Sequence, residues 1–324
     1  MKRKGIRDKI FFAAVLVTAV FLICNQSVLL KIYDIDTARE IRAFYRGYKL
    51  KEYFDEKKET FNSYYVQEDE EPEYEATVVE KKVLFRGNMN YKNVALNNHT
   101  SYTVDIPEMM KDYRHISKKD NKQILIIHTH GTEAYNNQKT ARTKDISENV
   151  VAVGEVLSDE LRKRGYRVLH DVKMHDDPSY NGSYLNCLNT LKWYFEHYDD
   201  IGIVLDVHRD AIEENDGSRV KLLYEYNGEK YAQLMFVSGS DNGGLEHKNF
   251  KENLKFAISL QGTVNSMYDG LMRPIDFRKE RFNQHMHNNY LILEVGTHGN
   301  TLDEAKNSMK IFAEAVDKYL NENN

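Results

Sequence analysis

Disulfide cross-links are the first thing this chain does without. Its 324 residues hold two cysteines, Cys24 in an apolar N-terminal stretch and Cys187 in the body, and these cannot plausibly pair. Cytosolic proteins and cysteine-poor exported proteins share such a count, so it leaves location open. Basic charge is scarce too, once the extreme N-terminus is set aside. The formal net charge is −5. Residues 1–9 carry five basic groups and one acidic group, +4 in all, which leaves −9 on the remainder. An acidic body lacks the clustered Lys and Arg that neutralise phosphates, which argues against nucleic acid as the main partner. No internal repeat is visible. No small-x-small cleavage site clearly follows the apolar stretch either, since its exit reads Cys24-Asn25-Gln26-Ser27.

What is present at the N-terminus is a basic flank, Lys2, Arg3, Lys4, Arg7 and Lys9, followed by an apolar run from Ile10 to Cys24 broken only by Thr18. Val28, Leu29 and Leu30 extend its hydrophobic length. The run is short for a spanning helix, which needs about 20 residues, but long for a signal-peptide core. We read residues 1–30 as an uncleaved signal anchor, with a cleaved secretory signal as the alternative. The basic flank belongs on the cytoplasmic side, so the body lies across the membrane. Residues 31–119 are expected to form a charged juxtamembrane stalk or linker. Its centre, Glu68-Asp69-Glu70-Glu71-Pro72-Glu73-Tyr74-Glu75, repels itself and resists packing.

From about residue 120 strands and helices alternate. Ile124-Leu125-Ile126-Ile127 reads as a strand buried on both faces. Ser147 can cap a helix over 148–164, ended by Gly165. Further strands are expected over 166–169, 201–207, 231–237 and 290–293, and helices over 184–198, 249–268 and 302–320. This order predicts an α/β three-layer sandwich with a mostly parallel central sheet over residues 120–324.

Polar groups follow three of the apolar strands: His130 the first, His208 the third, Glu294 the last. In a parallel sheet such ends share one edge, where open α/β sheets keep their sites. His130, Glu133 and His208 supply the nitrogen and oxygen donors of a three-ligand zinc site, leaving Glu294 as a nearby general base and acid. The reaction class is metal-assisted hydrolysis, most naturally of an amide. His128 is expected to point away from His130 and to hydrogen-bond a neighbouring loop. His170, His175 and Asp176 are read as loop residues rather than a second metal cluster, as are His285 and His287. Arg278 and Arg281 nearby can meet a substrate carboxylate. Arg209 and Arg273 are candidates for gripping an anionic substrate by bidentate pairing, with a salt-bridge role in the fold as the alternative.

Four phrases in order, ILIIHTHGTEAY at 124–135, DVHRDA at 206–211, RPIDF at 273–277 and LEVGT at 293–297, resemble the stage II sporulation protein P family. YNGSY at 180–184 and QGTVNSMY at 261–268 fit the same picture, and the resemblance covers roughly residues 120–320. It implies a membrane-anchored, zinc-dependent peptidoglycan hydrolase related to N-acetylmuramoyl-L-alanine amidases, with endopeptidase activity on stem-peptide crosslinks. It implies work in forespore engulfment, from the mother-cell membrane, beside stage II sporulation proteins D and M. Carried over residue by residue, the amidase pattern maps onto His130, His208 and Glu294. Its remaining ligand is a glutamate several residues before an asparagine. Here Asp145 and Glu148 precede Asn149 without that spacing, so Glu133 takes the role, with Glu148 and Asp145 as alternatives. Two rival readings are an exported zinc carboxypeptidase or other peptidase, and a non-catalytic, membrane-tethered protein that binds cell wall.

Overall fold

The computed structural model describes residues 77–82, 86–111, 116–120, 122–136 and 140–322. The chain divides into two units, Met1–Glu68 and Asp69–Asn324, and all described residues lie in the second. The expected anchor falls on residues outside the described ones. Among the described residues no helix is long and apolar enough to cross a membrane.

The central sheet has eight strands: β2 (Met89–Tyr91), β3 (Val94–Asn98), β4 (Gln123–Ile127), β5 (Arg167–His170), β6 (Ile201–Asp210), β9 (Leu234–Ser238), β10 (Ile275–Phe277) and β11 (Tyr290–Thr297). Their order across the sheet is β2-β3-β10-β9-β11-β6-β4-β5. Two parallel blocks, β3-β10-β9 and β11-β6-β4-β5, meet antiparallel at β9 and β11, and β2 closes one edge antiparallel to β3. The sheet is therefore mixed, although most neighbouring pairs are parallel as expected. A smaller sheet joins β1 (Val78–Lys81), β7 (Arg219–Tyr226) and β8 (Glu229–Ala232) in the order β1-β7-β8.

Five helices accompany the strands: α1 (Ile106–Lys111), α2 (Val150–Lys163), α3 (Ser183–His197), α4 (Phe250–Met267) and α5 (Leu302–Glu322). β4 shows why the layers form. Its side chains alternate between faces; Ile124 and Ile126 pack in one cluster with Leu157 of α2, Leu254 of α4 and Phe312 of α5, while Leu125 and Ile127 pack with Cys187 and Leu191 of α3. Full burial of such side chains is worth about 1.5–3 kcal/mol each. α2, α4 and α5 thus cover one face and α3 the other, which is a three-layer sandwich.

Three expectations need correction. Residues 78–111, read as part of a stalk, supply β1, β2, β3 and α1. Val94, Ala95 and Leu96 are fully buried, and β3 pairs with β10. Such short strands gain their stability from partners far away in sequence, which local charge conceals. The single strand expected over 231–237 is two strands in two sheets, broken at the buried Gln233, whose backbone N–H donates to Leu222 O and side chain to Gly270 O. α2 is capped by Asn149, whose Oδ1 accepts from Val151 N at 2.9 Å, rather than by Ser147, whose hydroxyl donates to Asp145.

Candidate metal and proton-transfer site

β6 and β11 run side by side in parallel, and His208 lies directly opposite Glu294 in their register. Alternation puts Asp206, His208 and Glu294 on the α3 face of the sheet, the face of Val204 and Tyr290. Neither strand stops at these residues. β6 continues to Asp210 and β11 to Thr297, with a register shift between Glu294 and Thr297. Gly296 takes a φ of 67° in this stretch, where an added Cβ would also lie 2.7 Å from Asn300 Oδ1.

β4 ends at Ile127, and a turn follows at Thr129 to Thr132. Strict strand alternation would put His128 and His130 on the same side. The turn separates them. His128 reaches Val207 O at 2.9 Å and His170 Nε2 at 3.0 Å, against α2, where an added Cβ on Gly154 would lie 2.7 Å from the His128 ring. His130 lies on the α3 side. Its ring stacks flat on Tyr180 (centroids 4.3 Å apart, planes 7° apart) and meets Tyr184 and His208 edge-on at 5.4 and 5.2 Å. Arg142 covers the Tyr180 ring at 4.1 Å and pairs with Asp176 at 3.6 Å. His130 Nδ1 is buried without a hydrogen-bond partner among the described residues, and burial pulls its pKa down to about 3.

The loop after the turn folds back on itself. Ala134 N donates to Ala141 O, Thr143 N to Thr132 O, and Val150 N to Glu133 O. This brings Glu133 under β6, where its Oε2 accepts Arg209 N at 3.0 Å and stands 3.5 Å from His208 Nδ1. Burial opposes ionisation of Glu133, but the His208 charge overrides it and brings the carboxyl to about 2. The other His208 nitrogen, Nε2, lies 2.9 Å from Asp206 Oδ1. His208 itself is raised well above its ordinary value, because the Asp206 and Glu133 charges outweigh burial.

Glu294 Oε2 is sealed from solvent and has no partner among the described residues, although the residue as a whole keeps some exposure. Burial, then the charge of Asp210, pushes its carboxyl up to about 8, against the opposing pull of His208.

The two arginines read as substrate candidates differ. Arg209 commits Nε to Ala134 O at 3.0 Å and Nη2 to Ala141 O at 2.8 Å, clamping the folded-back loop. Arg273 pairs through Nη1 with Asp210 Oδ2 at 2.8 Å, and its buried Nε and Nη2 have no partner among the described residues. Arg273 therefore keeps donors in reserve. Of the carboxylates weighed for the third ligand, Glu133 stands 3.5 Å from His208, and Asp145 is exposed and turned onto Ser147. Three of the residues read as loop residues, His170, His175 and Asp176, are tied into the fold. His170, on β5, bonds His128 and Glu155 Oε2; His175 bonds His128 O and Thr190 Oγ1; Asp176 accepts from Thr132. Asp206, passed over as one residue of an apolar strand, is the group that sequence reasoning missed. A lone acid within such a strand was the available signal, since a buried charge must be paired.

Among the described residues no three His, Cys, Asp or Glu side chains are gathered closely enough to hold an ion as they stand. The donor chemistry nonetheless fits zinc. Two ligands about 2.0–2.1 Å from a tetrahedral zinc stand about 3.4 Å apart, close to the 3.5 Å between His208 Nδ1 and Glu133 Oε2. His130 adds a buried nitrogen with no partner among the described residues.

Comparison with known proteins places this chain among similar ones. The model of the Stage II sporulation protein P family matches residues 34–317. Stage II sporulation protein P of Bacillus subtilis (strain 168) is 27% identical over 214 residues, 60% of this chain and 50% of that protein. The chain thus spans about half the length of this curated relative. Among solved structures, similarity extends to the CwlD amidase from Clostridioides difficile in complex with the GerS lipoprotein (16% identity, TM-score 0.40, covering 61% of this chain and 98% of that one). It extends also to the N-acetylmuramoyl-L-alanine amidase AmiC2 of Nostoc punctiforme (9% identity, TM-score 0.37, 62% and 95%).

Proposed function

The chain belongs to the stage II sporulation protein P family, and from that premise we propose that it is a sporulation peptidoglycan hydrolase, a zinc-dependent N-acetylmuramoyl-L-alanine amidase that also cuts stem-peptide crosslinks. Its setting is forespore engulfment, with the catalytic body held outside the mother-cell membrane by residues 1–30 and with stage II sporulation proteins D and M as partners.

The observation that carries the chemistry is Glu294 Oε2, unpartnered among the described residues and set in register beside His208. His130, Glu133 and His208 would hold the zinc, which when bound supplies a Lewis acid and a water of lowered pKa. The remaining steps belong to the chain. Glu294 Oε2 takes a proton from the attacking water and later delivers it to the leaving amide nitrogen. A carboxyl pushed up to about 8 exchanges protons in the neutral range, as a group serving as both base and acid must. Arg273, with two guanidinium nitrogens unpartnered among the described residues, stands beside Asp210 and is suited to hold a substrate carboxylate. Arg209 supports the loop that carries Glu133.

The test is incubation of the purified protein with defined muropeptides, with and without a chelator. Free stem peptide released from glycan, and lost with the chelator, is the expected result. Trimmed peptides alone would establish a carboxypeptidase or other peptidase instead. Binding with no product would establish a cell-wall-binding assembly protein.

A further inference from the structure

Asp206 is the most heavily engaged carboxylate of the site. It is fully buried. Oδ1 accepts Thr129 N at 2.8 Å and His208 Nε2 at 2.9 Å; Oδ2 accepts Thr129 Oγ1 at 2.6 Å and the Tyr290 hydroxyl at 3.0 Å. The four donors come from three adjacent strands or their ends: Thr129 just past β4, His208 on β6, Tyr290 at the start of β11. The register makes this possible, since Asp206 lies opposite Ile127 on one side and Ile292 on the other.

Each bond constrains a different part of the site. An imidazole nitrogen that donates to a carboxylate cannot also bind a metal, so the nitrogen facing Asp206 decides which one is left over. With Nε2 on Asp206, Nδ1 is left facing Glu133. The bonds to Thr129 act on the other histidine. Thr129 precedes His130, and fixing both its N–H and its hydroxyl fixes the turn that sends His130 to the α3 side and His128 to the α2 side.

Resting on the zinc-hydrolase reading above, we infer that Asp206 is the positioning residue of this site: it holds the Nε2 proton of His208 so that Nδ1 faces the metal position, and through Thr129 it sets the turn that aims His130 at the same place. One buried carboxylate thereby couples two ligands 78 residues apart in sequence. Tyr290 fills the last acceptor position and leaves Asp206 without an unused lone pair facing apolar side chains.

Two measurements test this on the full-length protein. The first is zinc affinity by competition with a chromophoric chelator. Asp206→Asn keeps the shape but removes the charge and one acceptor, and the expected loss is 10- to 100-fold, the usual effect of removing a carboxylate behind a ligating histidine. Tyr290→Phe, which removes one bond and leaves the His208 contact in place, is expected to change affinity less than 3-fold. Equal affinity in Asp206→Asn and wild type overturns the inference. The second measurement needs no variant to fold: long-range nitrogen–proton NMR of the wild-type histidines. His208 protonated at Nε2 supports the assignment, whereas an unprotonated Nε2 overturns it. That spectrum is read with zinc, or without it should the wild type take none up. Wild-type protein that binds no zinc would sink the hydrolase reading, while an unprotonated Nε2 in its zinc-free spectrum would still overturn the role of Asp206.

Discussion

Each face of the central sheet receives a histidine from the end of β4, and the two are treated in opposite ways. On the α2 face, both nitrogens of His128 are bonded, to Val207 O and His170, and His170 is bonded in turn to Glu155. On the α3 face, His130 Nδ1 and Glu294 Oε2 are buried with no partner among the described residues. Buried polar groups are almost always satisfied in folded proteins, so the first arrangement is what a fold requires. The second is costly unless something else binds there. The difference separates a histidine that holds strands together from one left with an unpartnered nitrogen among the described residues, though only Thr129 stands between them.

The sharpest way to break this comparison is at Glu294. Glu294→Gln keeps the shape and removes the proton acceptor, so hydrolysis should fall by about 10²- to 10⁴-fold with zinc uptake and melting temperature close to wild type. Activity within a factor of about 3 of wild type would remove Glu294 from the proton transfer.

On the opposite face the expected loss is in stability. Gly154→Ala places a Cβ 2.7 Å from the His128 ring and 2.9 Å from His170 Nε2. Overpacking of this kind costs about 1–3 kcal/mol, read as a lower denaturant midpoint. Zinc stoichiometry should be unchanged, and a parallel loss of zinc would show that the two faces are not independent.

The smallest expected effect is a pH slope. Burial, the largest influence on His170, holds it below its ordinary 6.5, so the fold favours the neutral ring more than the unfolded chain does. The unfolded chain protonates near 6.5 and binds the extra proton as pH falls, so this contribution is intact above that value and is lost progressively below it. His170→Gln should therefore show a shallower loss of melting temperature between about pH 6.5 and 5 than wild type. An unchanged slope would mean that His170 already carries its proton in the fold.

Much of the described body was legible from local pattern. Runs such as Ile124–Ile127 and Ile201–Val207 have few alternatives to buried strands, and α2, α3, α4 and α5 begin and end within a few residues of where periodicity puts them. The short strands β3 and β10 were not legible. Val94-Ala95-Leu96 and Ile275-Asp276-Phe277 are too short to signal anything until they pair with each other.

The chain by itself determined which strands are buried and which donor-bearing residues follow or sit near their ends, because hydrophobic periodicity and residue chemistry are local properties. It did not determine what each histidine faces. His128 and His130 are chemically identical and two residues apart. Only the turn at Thr129, pinned by Asp206 from a strand 77 residues further along, sends one into a finished hydrogen-bond network and the other beside His208. That outcome depends on strand register and on long-range hydrogen bonds, which exist only once the sheet is assembled.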